Sequence, residues 1–322
     1  PPPWTLQHDF PCPWPYKLAM TDTADRPARK PVISPTPGGP LAVTAQDFAE
    51  TLRLAPVWLH AGWIDVVWRF RRTRHGPIWQ TQGHPPIGQP MGRGGGTSHQ
   101  NETLGLAAFV LTMGVVWSTI LNQDPREYFR FVGTSIITWS LIASLITDGT
   151  GIIISGQATA LSMRFPYLAF AFAHVWRALL LFGHHFVLYV LIMVGTLHSP
   201  GWTALLAIPA LLLVTANGIW MSLLVGMLCL RRRDLGPAIS SAMQILMFVT
   251  PVFWPKTMLG PNLAFAADYN PFYHLVRIVR DPLLGIAPDL VSWVWVIGTL
   301  VVGSVVTVWA YGRYRDRLAY WY

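Results

Sequence analysis

Six apolar stretches, near residues 104–121, 131–153, 170–196, 203–229, 237–255 and 290–312, dominate the chain beyond its first third. Each approaches the length of about 20 residues that an α-helix needs to cross the hydrocarbon of a bilayer. In hydrocarbon every backbone N–H and C=O must find a partner within the protein, and a single apolar stretch achieves this only as a helix. Composition agrees, since a chain of 322 residues that is 52% hydrophobic and only 12% charged has too few ionic groups to cover a soluble globule of that size. The expectation is an all-α integral membrane protein with six transmembrane helices.

The charges orient it. The net charge of +8 does not read as a nucleic-acid surface, because the arginines fall in short clusters at the ends of apolar runs. Starting from a cytoplasmic cluster at Arg69 to Arg74, alternation of spans puts Arg164, Arg231-Arg232-Arg233, Arg313, Arg315 and Arg317 on the same side. The opposite loops carry Asp124, Arg126, Glu127 and Arg130, then Lys256, Asp268, Arg277, Arg280 and Asp281, mixed in sign. Both termini are therefore expected in the cytoplasm. Cys12 and Cys229 are the only cysteines, which leaves no disulfide framework and no Cys-based metal site.

Before the spans the chain changes character. Residues 1–53 read as a disordered tail, rich in Pro, Thr, Asp and Arg from Met20 to about Gly39. The first Met is Met20, no basic region followed by an apolar one marks a secretory signal, and residues 1–19 are expected to precede the start. Residues 54–79 suggest an interfacial amphipathic helix. Asp65, Arg69 and Arg72 stand at i, i+4 and i+7, with Trp58, Ala61, Ile64, Val67 and Trp68 on the other side. Residues 80–103 form a Gly, Pro and His-rich tract that reads as a flexible insertion. His75, His84 and His99 lack the regular spacing of metal ligands, so no metal site is assigned.

Between the fifth and sixth stretches lies a segment too polar to cross a bilayer and too apolar for an ordinary loop. It holds Asn270, Pro271, Phe272, Tyr273, His274, Arg277 and Arg280, with Pro251, Pro255, Pro271 and Pro282 as breakers. This suits an outer-side re-entrant helical hairpin at the mouth of a channel, with rings at headgroup depth and charges in a watery vestibule. Trp117, Trp139, Phe253 and Trp254 fall toward the same side. With Phe272 and Tyr273 they are candidates for an aromatic translocation path, because ring faces can stack on sugars. Asp148, near the end of the second stretch, and Arg177, early in the third, are expected to pair across a helical hairpin, since an unpaired charge at that depth costs several kcal/mol. A proton relay would want more titratable groups than His174, His184 and His185 supply.

Three blocks carry a family resemblance. Arg71-Arg72-Thr73-Arg74-His75-Gly76-Pro77-Ile78-Trp79 resembles the basic, Gly-Pro-aromatic entry to the first span of polysaccharide-export ABC permeases, the type-2 ABC transporter membrane subunits. Arg231 to Leu235 with Gln244 to Trp254 resembles that family's cytoplasmic turn and fifth span, and Asn270 to Gly285 resembles its most recognisable stretch. The tract at 80–103 departs from the family, which passes straight from Gly-Pro-aromatic into the membrane. On this resemblance residues 104–322 are a type-2 ABC transporter transmembrane domain.

The resemblance implies a bacterial inner-membrane subunit, a homodimer enclosing a channel that exports a lipid-linked glycan such as O-antigen or capsule. The chain has no Gly-x-x-x-x-Gly-Lys-Ser/Thr loop. It is therefore expected to bind no cofactor and to rely on a separate ABC ATPase that holds ATP and Mg. The family places the docking helix for that partner between the second and third spans, here with Gln157, Leu161, Met163, Arg164 and Phe165. Two other readings are a drug or lipid exporter of the same superfamily and an integral membrane acyl- or glycosyltransferase. The second requires paired carboxylates or a His-Asp constellation at one membrane face.

Overall fold

Helices are the only regular elements in the computed structural model, which describes residues 39–71, 102–162, 165–258, 260, 265 and 267–321. They are α1 (Pro40–Arg53), α2 (Ala55–Arg71), α3 (Glu102–Ile120), α4 (Pro125–Thr147), α5 (Ile152–Ser155), α6 (Gln157–Ser162), α7 (Tyr167–Gly195), α8 (Ala207–Arg231), α9 (Leu235–Val249), α10 (Pro271–Leu283) and α11 (Leu290–Leu318). The residues at 72–101, with Arg72, His75, His84 and His99, and the tail at 1–38 lie outside the described residues, as do the side chains of Trp68 and Arg69.

Each of the six apolar stretches is largely helical. Four continuous runs, Pro125–Ser155, Tyr167–Gly195, Gly201–Arg231 and Leu290–Leu318, are long and apolar enough to cross a membrane. The first and fifth are shorter, with apolar helices Gly105–Ile120 and Leu235–Val249. The expected fifth stretch ran to residue 255, but Pro251 stops it, because the residue before a proline is pushed out of the α region and Thr250 is extended at ψ 138°. At 15 residues α9 is about 22 Å long, short of the roughly 30 Å hydrocarbon core.

The core is built around α4, which packs on α3, α7, α8, α9 and α10. Asp124 starts it, accepting from Arg126 N at 2.7 Å ahead of Pro125. Of its most apolar window 67% is buried, against 22% for α11, which leaves most of its valines exposed. The partner of α11 is α8, and a buried amide joins them. Asn217 Nδ2 donates to Leu213 O and Val296 O, and its Oδ1 accepts from Trp220 Nε1 and Thr299 Oγ1, so the polar group is satisfied away from water.

Residues 40–53, expected as part of the tail, form α1, packed on α11 and α7. The inward face of α1 is Val43, Asp47 and Thr51, a mixture with no apolar period for a sequence reading to detect. Asp47, 2% exposed, accepts a bidentate pair from Arg315 at 2.6 and 2.8 Å and the hydroxyl of Tyr311 at 2.5 Å. On α2 the buried residues among those described are Gly62 and Val66, and the α7 residue Trp176 donates from Nε1 to Leu59 O at 3.1 Å.

The two ends of the bundle separate by charge. One gathers α1, α2, the turn after α8 and the end of α11, with Arg231, Arg232, Arg233, Arg313 and Arg317 exposed. The other gathers the start of α4, the end of α7, the turn after α9, the start of α11 and the whole of α10.

Candidate functional site

The stretch Asn270–Gly285 folds as one capped helix. Asn270 accepts from Phe272 N at 2.9 Å, Pro271 occupies the first helical position where its missing N–H is harmless, and Gly285 closes the far end. Gly285 has φ +87°, and Ile286 N reaches back to Asp281 O at 2.9 Å, the bond of a Schellman cap. A Cβ at Gly285 would meet Pro200 O at 3.2 Å, so glycine is needed for both its backbone conformation and its neighbour.

This helix is packed into its own chain, whereas the sequence suggested that it lines an open mouth. Ten of its thirteen residues are buried. Tyr273, expected to face the pore, is 3% exposed and lies beneath the Arg277 guanidinium, while Phe272 is half-buried against Trp139 with ring centroids 6.0 Å apart. Arg280 and Asp281, expected in a watery vestibule, are 6% and 5% exposed. Burial is tolerable because they neutralise one another. Arg280 Nε donates to Asp281 Oδ1 at 3.1 Å and Arg277 Nε to Asp281 Oδ2 at 3.0 Å. Arg280 also donates to Pro251 O at 3.1 Å and lies 4.7 Å from the centre of the Phe131 ring.

Side chains on α4, α7, the turn after α9 and the start of α11 tie α10 and the turn beneath it in place. Asn270 Nδ2 donates to Thr250 Oγ1 at 2.9 Å, the Tyr189 hydroxyl to Leu283 O at 2.8 Å, and Arg277 forms an ion pair with Asp289 at 2.6 Å. The Tyr128 hydroxyl donates to Phe253 O at 2.6 Å and fixes the turn after α9 on α4. His274 Nε2 lies 2.8 Å from Asp268 O, which can only accept, so Nε2 carries the proton and Nδ1 accepts from the Ser292 hydroxyl at 3.0 Å. Its ring stacks on Trp295, 5.3 Å between centroids. Asp281, Asp289, Ser292, Thr250, Tyr128 and Tyr189 were not among the expected site residues. Only the Arg277–Asp281 spacing of four could have signalled one of them.

Burial lowers the pKa of His274 below the ordinary histidine value; the Asp268 carbonyl opposes this shift and Arg277 reinforces it. An unfolded chain therefore takes up a proton here before the folded one does. The stability from neutral His274 is present above the unfolded value of about 6.5 and is lost as pH falls toward and through the lower folded value. His274→Gln is expected to flatten the pH dependence of the thermal midpoint in detergent below pH 6.5. A slope equal to that of the unaltered chain would exclude His274 as its source.

The aromatic residues gather at the same end. Trp117 lies 6.2 Å from Trp254, but Trp139 and Phe253 are 4% and 1% exposed and belong to the core. Only Trp117, Trp254 and Phe272 of the expected path keep partly exposed rings. The carboxylate that Arg177 pairs with is Asp65 on α2, at 3.7 Å, where the sequence suggested Asp148, and Arg177 also donates to His174 Nδ1 at 3.1 Å. Asp148 instead stands within electrostatic reach of His174. His174 and His185 are both buried on α7, about 16 Å apart along its axis with Ala178 and Leu181 buried between them, which breaks any relay.

At the arginine-rich end the loop after α4 carries α6, Gln157–Ser162, and the Phe165 ring lies tilted against Phe170, 5.1 Å between centroids. Gln157 is half-buried; Met163, Arg164 and the side chain of Leu161 lie outside the described residues. No group of metal-binding side chains occurs among the described residues. The carboxylates at the α10 end are individually engaged: Asp124 as a cap, Glu127 with Arg130, Asp268 with Lys256, and Asp281 and Asp289 with Arg277.

A bundle of apolar helices with four candidate spans, most of whose charged groups are paired at one end and exposed as arginines at the other, defines a multi-pass membrane protein. The chain belongs to the ABC-2 type transporter family, whose model matches residues 99–284, more than half of its length. The matched residues run from the approach to α3 to the end of α10, leaving α1, α2 and α11 outside. No curated protein matches the chain. Membership makes this a permease component of a type-2 ABC transporter, and the family implies an ABC ATPase partner.

Proposed function

We propose that the chain is the channel-forming subunit of an ATP-driven exporter of a lipid-linked polysaccharide, such as O-antigen or capsule, across the bacterial inner membrane. The observation that carries this reading is the block Asn270–Gly285, which resembles the polysaccharide permeases in sequence and forms a capped, charge-bearing helix between α9 and α11. In this reading all six apolar helices cross the membrane, α10 is re-entrant from the outer side, and both termini are cytoplasmic. Two copies enclose the channel, α1 and α2 lie at the inner interface, and the loop at Gln157–Phe165 docks the ATPase. The chain itself binds no cofactor; ATP and Mg belong to the partner. Partly exposed Trp117, Trp254 and Phe272 offer the ring faces on which a glycan can slide.

Two measurements test the proposal. In a background lacking Cys12, cysteines at Tyr269 and Ile286, both exposed, are expected to react with an impermeant thiol reagent from outside, and one at Arg232 is not. Ile286 is chosen because Gly285 would not accept a side chain. Reaction of Tyr269 and Ile286 from opposite sides would make the segment a span and overturn the topology. Cells lacking the chain should retain completed lipid-linked glycan on the cytoplasmic face. Undiminished surface glycan in those cells would refute polysaccharide as the cargo while leaving the transporter class intact.

A further inference from the structure

Halfway along α8 and α11 the surface of the bundle is grooved. The groove, about 620 Å³, is lined by Trp220 of α8 and by Val294, Trp295, Gly298, Val302 and Val306 of α11, with Gly303 and Thr299 at its floor. Its volume is within the about 300–1,000 Å³ of ordinary ligand sites. Two glycines shape it. Gly303 lets the Trp220 ring lie flat on α11, since a Cβ there would fall 2.2 Å from the indole, and Gly298 opens onto empty space, with nothing within 4 Å of where its Cβ would be.

The lining selects a class of occupant. The Trp220 N–H and the Thr299 hydroxyl both turn inward to Asn217 Oδ1, at 3.0 and 3.2 Å, so the walls face outward as hydrocarbon and ring. They offer little to hold a sugar or a peptide. Val294, Val302 and Val306 are 62%, 65% and 46% exposed, and both helices belong to runs long enough to cross a bilayer. A groove at this depth on spanning helices would face lipid.

Charge identifies which lipid. Val302, Val306, Trp309 and Arg313 follow one another at helical spacing on one stripe of α11, and Trp309 and Arg313 are exposed. Asp316, the nearest acid in sequence, is drawn to Arg315 at 3.6 Å, and Arg313 has no ion-pair partner among the described residues. Gly298 and Arg313 are separated by about 22 Å of helix axis. A bilayer 40–45 Å thick including headgroups measures about 20–22 Å from midplane to headgroup edge. An interfacial Trp followed by a free guanidinium, at that distance from an apolar slot, matches a chain and its phosphate. We propose that this groove binds an anionic phospholipid, one acyl chain lying over Trp220 and Gly298 and the phosphate held at Arg313.

The full-length chain in detergent, offered equal amounts of phosphatidylglycerol and phosphatidylcholine, is expected to retain phosphatidylglycerol preferentially by native mass spectrometry. Arg313→Gln should reduce that retention about five-fold, the factor for a basic residue at an anionic surface. Gly298→Leu fills the slot and should reduce retention of both lipids; if it fails to fold, Val302→Trp on the exposed rim makes the same test. Equal retention of the two lipids by the unaltered chain, or unchanged retention in Arg313→Gln and in the slot-filling variant, would overturn the site. A Val302→Cys chain that forms disulfide-linked dimers in membranes would also overturn it, by seating a second copy in the groove.

Discussion

Asp281→Ala is expected to destabilise the chain by about 3–5 kcal/mol, the range for removing one partner of a buried ion pair. The loss falls on Arg280. Arg277 retains Asp289 at 2.6 Å, whereas Arg280 is left 6% exposed with the Pro251 carbonyl and the Phe131 ring. The thermal midpoint in detergent should fall accordingly, and the paired replacement Arg280→Met with Asp281→Leu should recover most of the loss, because neither charge then remains buried alone. A double variant less stable than Asp281→Ala would show that the charges do more than neutralise one another. Because α10 holds the ends of α4, α7, α9 and α11 together, export should fail in the single variant. If the ATPase docks at the arginine-rich end, as proposed, its binding should persist.

The second large effect is expected at the α1–α11 clasp. Asp47 receives three donors from two side chains of α11, and its side chain is 3% exposed beside an Arg315 that is 25% exposed. Asp47→Ala leaves the fully buried Tyr311 hydroxyl without its acceptor, a penalty of about 1–3 kcal/mol, and releases Arg315 to solvent and Asp316. Asp47→Asn keeps an acceptor for Tyr311 and should lose less. Since α1 touches the bundle mainly through this face, tryptic cleavage at the exposed Arg53 should accelerate in the alanine variant. Cleavage at the rate of the unaltered chain would mean that apolar packing alone holds α1.

Much of this architecture was legible before any coordinates. The apolar stretches became helices because hydrocarbon-length apolar segments have no other way to satisfy their backbones, and the grouping of arginines at one end follows from alternation of those helices. The block at Asn270–Gly285 was legible as a segment too polar to span and too apolar for a loop, though not as the single helix Pro271–Leu283, because its prolines read as breaks in a hairpin. Its surroundings were not. Tyr273 and Arg280 read as pore-facing because a polar, aromatic segment flanked by prolines resembles a channel mouth, yet packing on α4, α8 and α11 closes over them. α1 escaped notice because an aspartate occupies the middle of its buried face. The extent of α9 was misjudged because hydropathy continues through Phe253 and Trp254 after Pro251 has ended the helix.

The sequence by itself determined the class of this protein: apolar helices in order, an arginine-rich end, a polar segment before the last apolar stretch, and membership of the ABC-2 type transporter family. These follow from local physics, the period of the helix and the solvent it must lie in. Only the tertiary structure decided which charges meet. Asp47 finds Arg315 across 268 positions of sequence, Asp65 takes Arg177, and Asp281 serves two arginines at once. The energy of a buried charge depends on the partner within about 4 Å and on the protein that excludes water around both. Neither exists until the helices have packed.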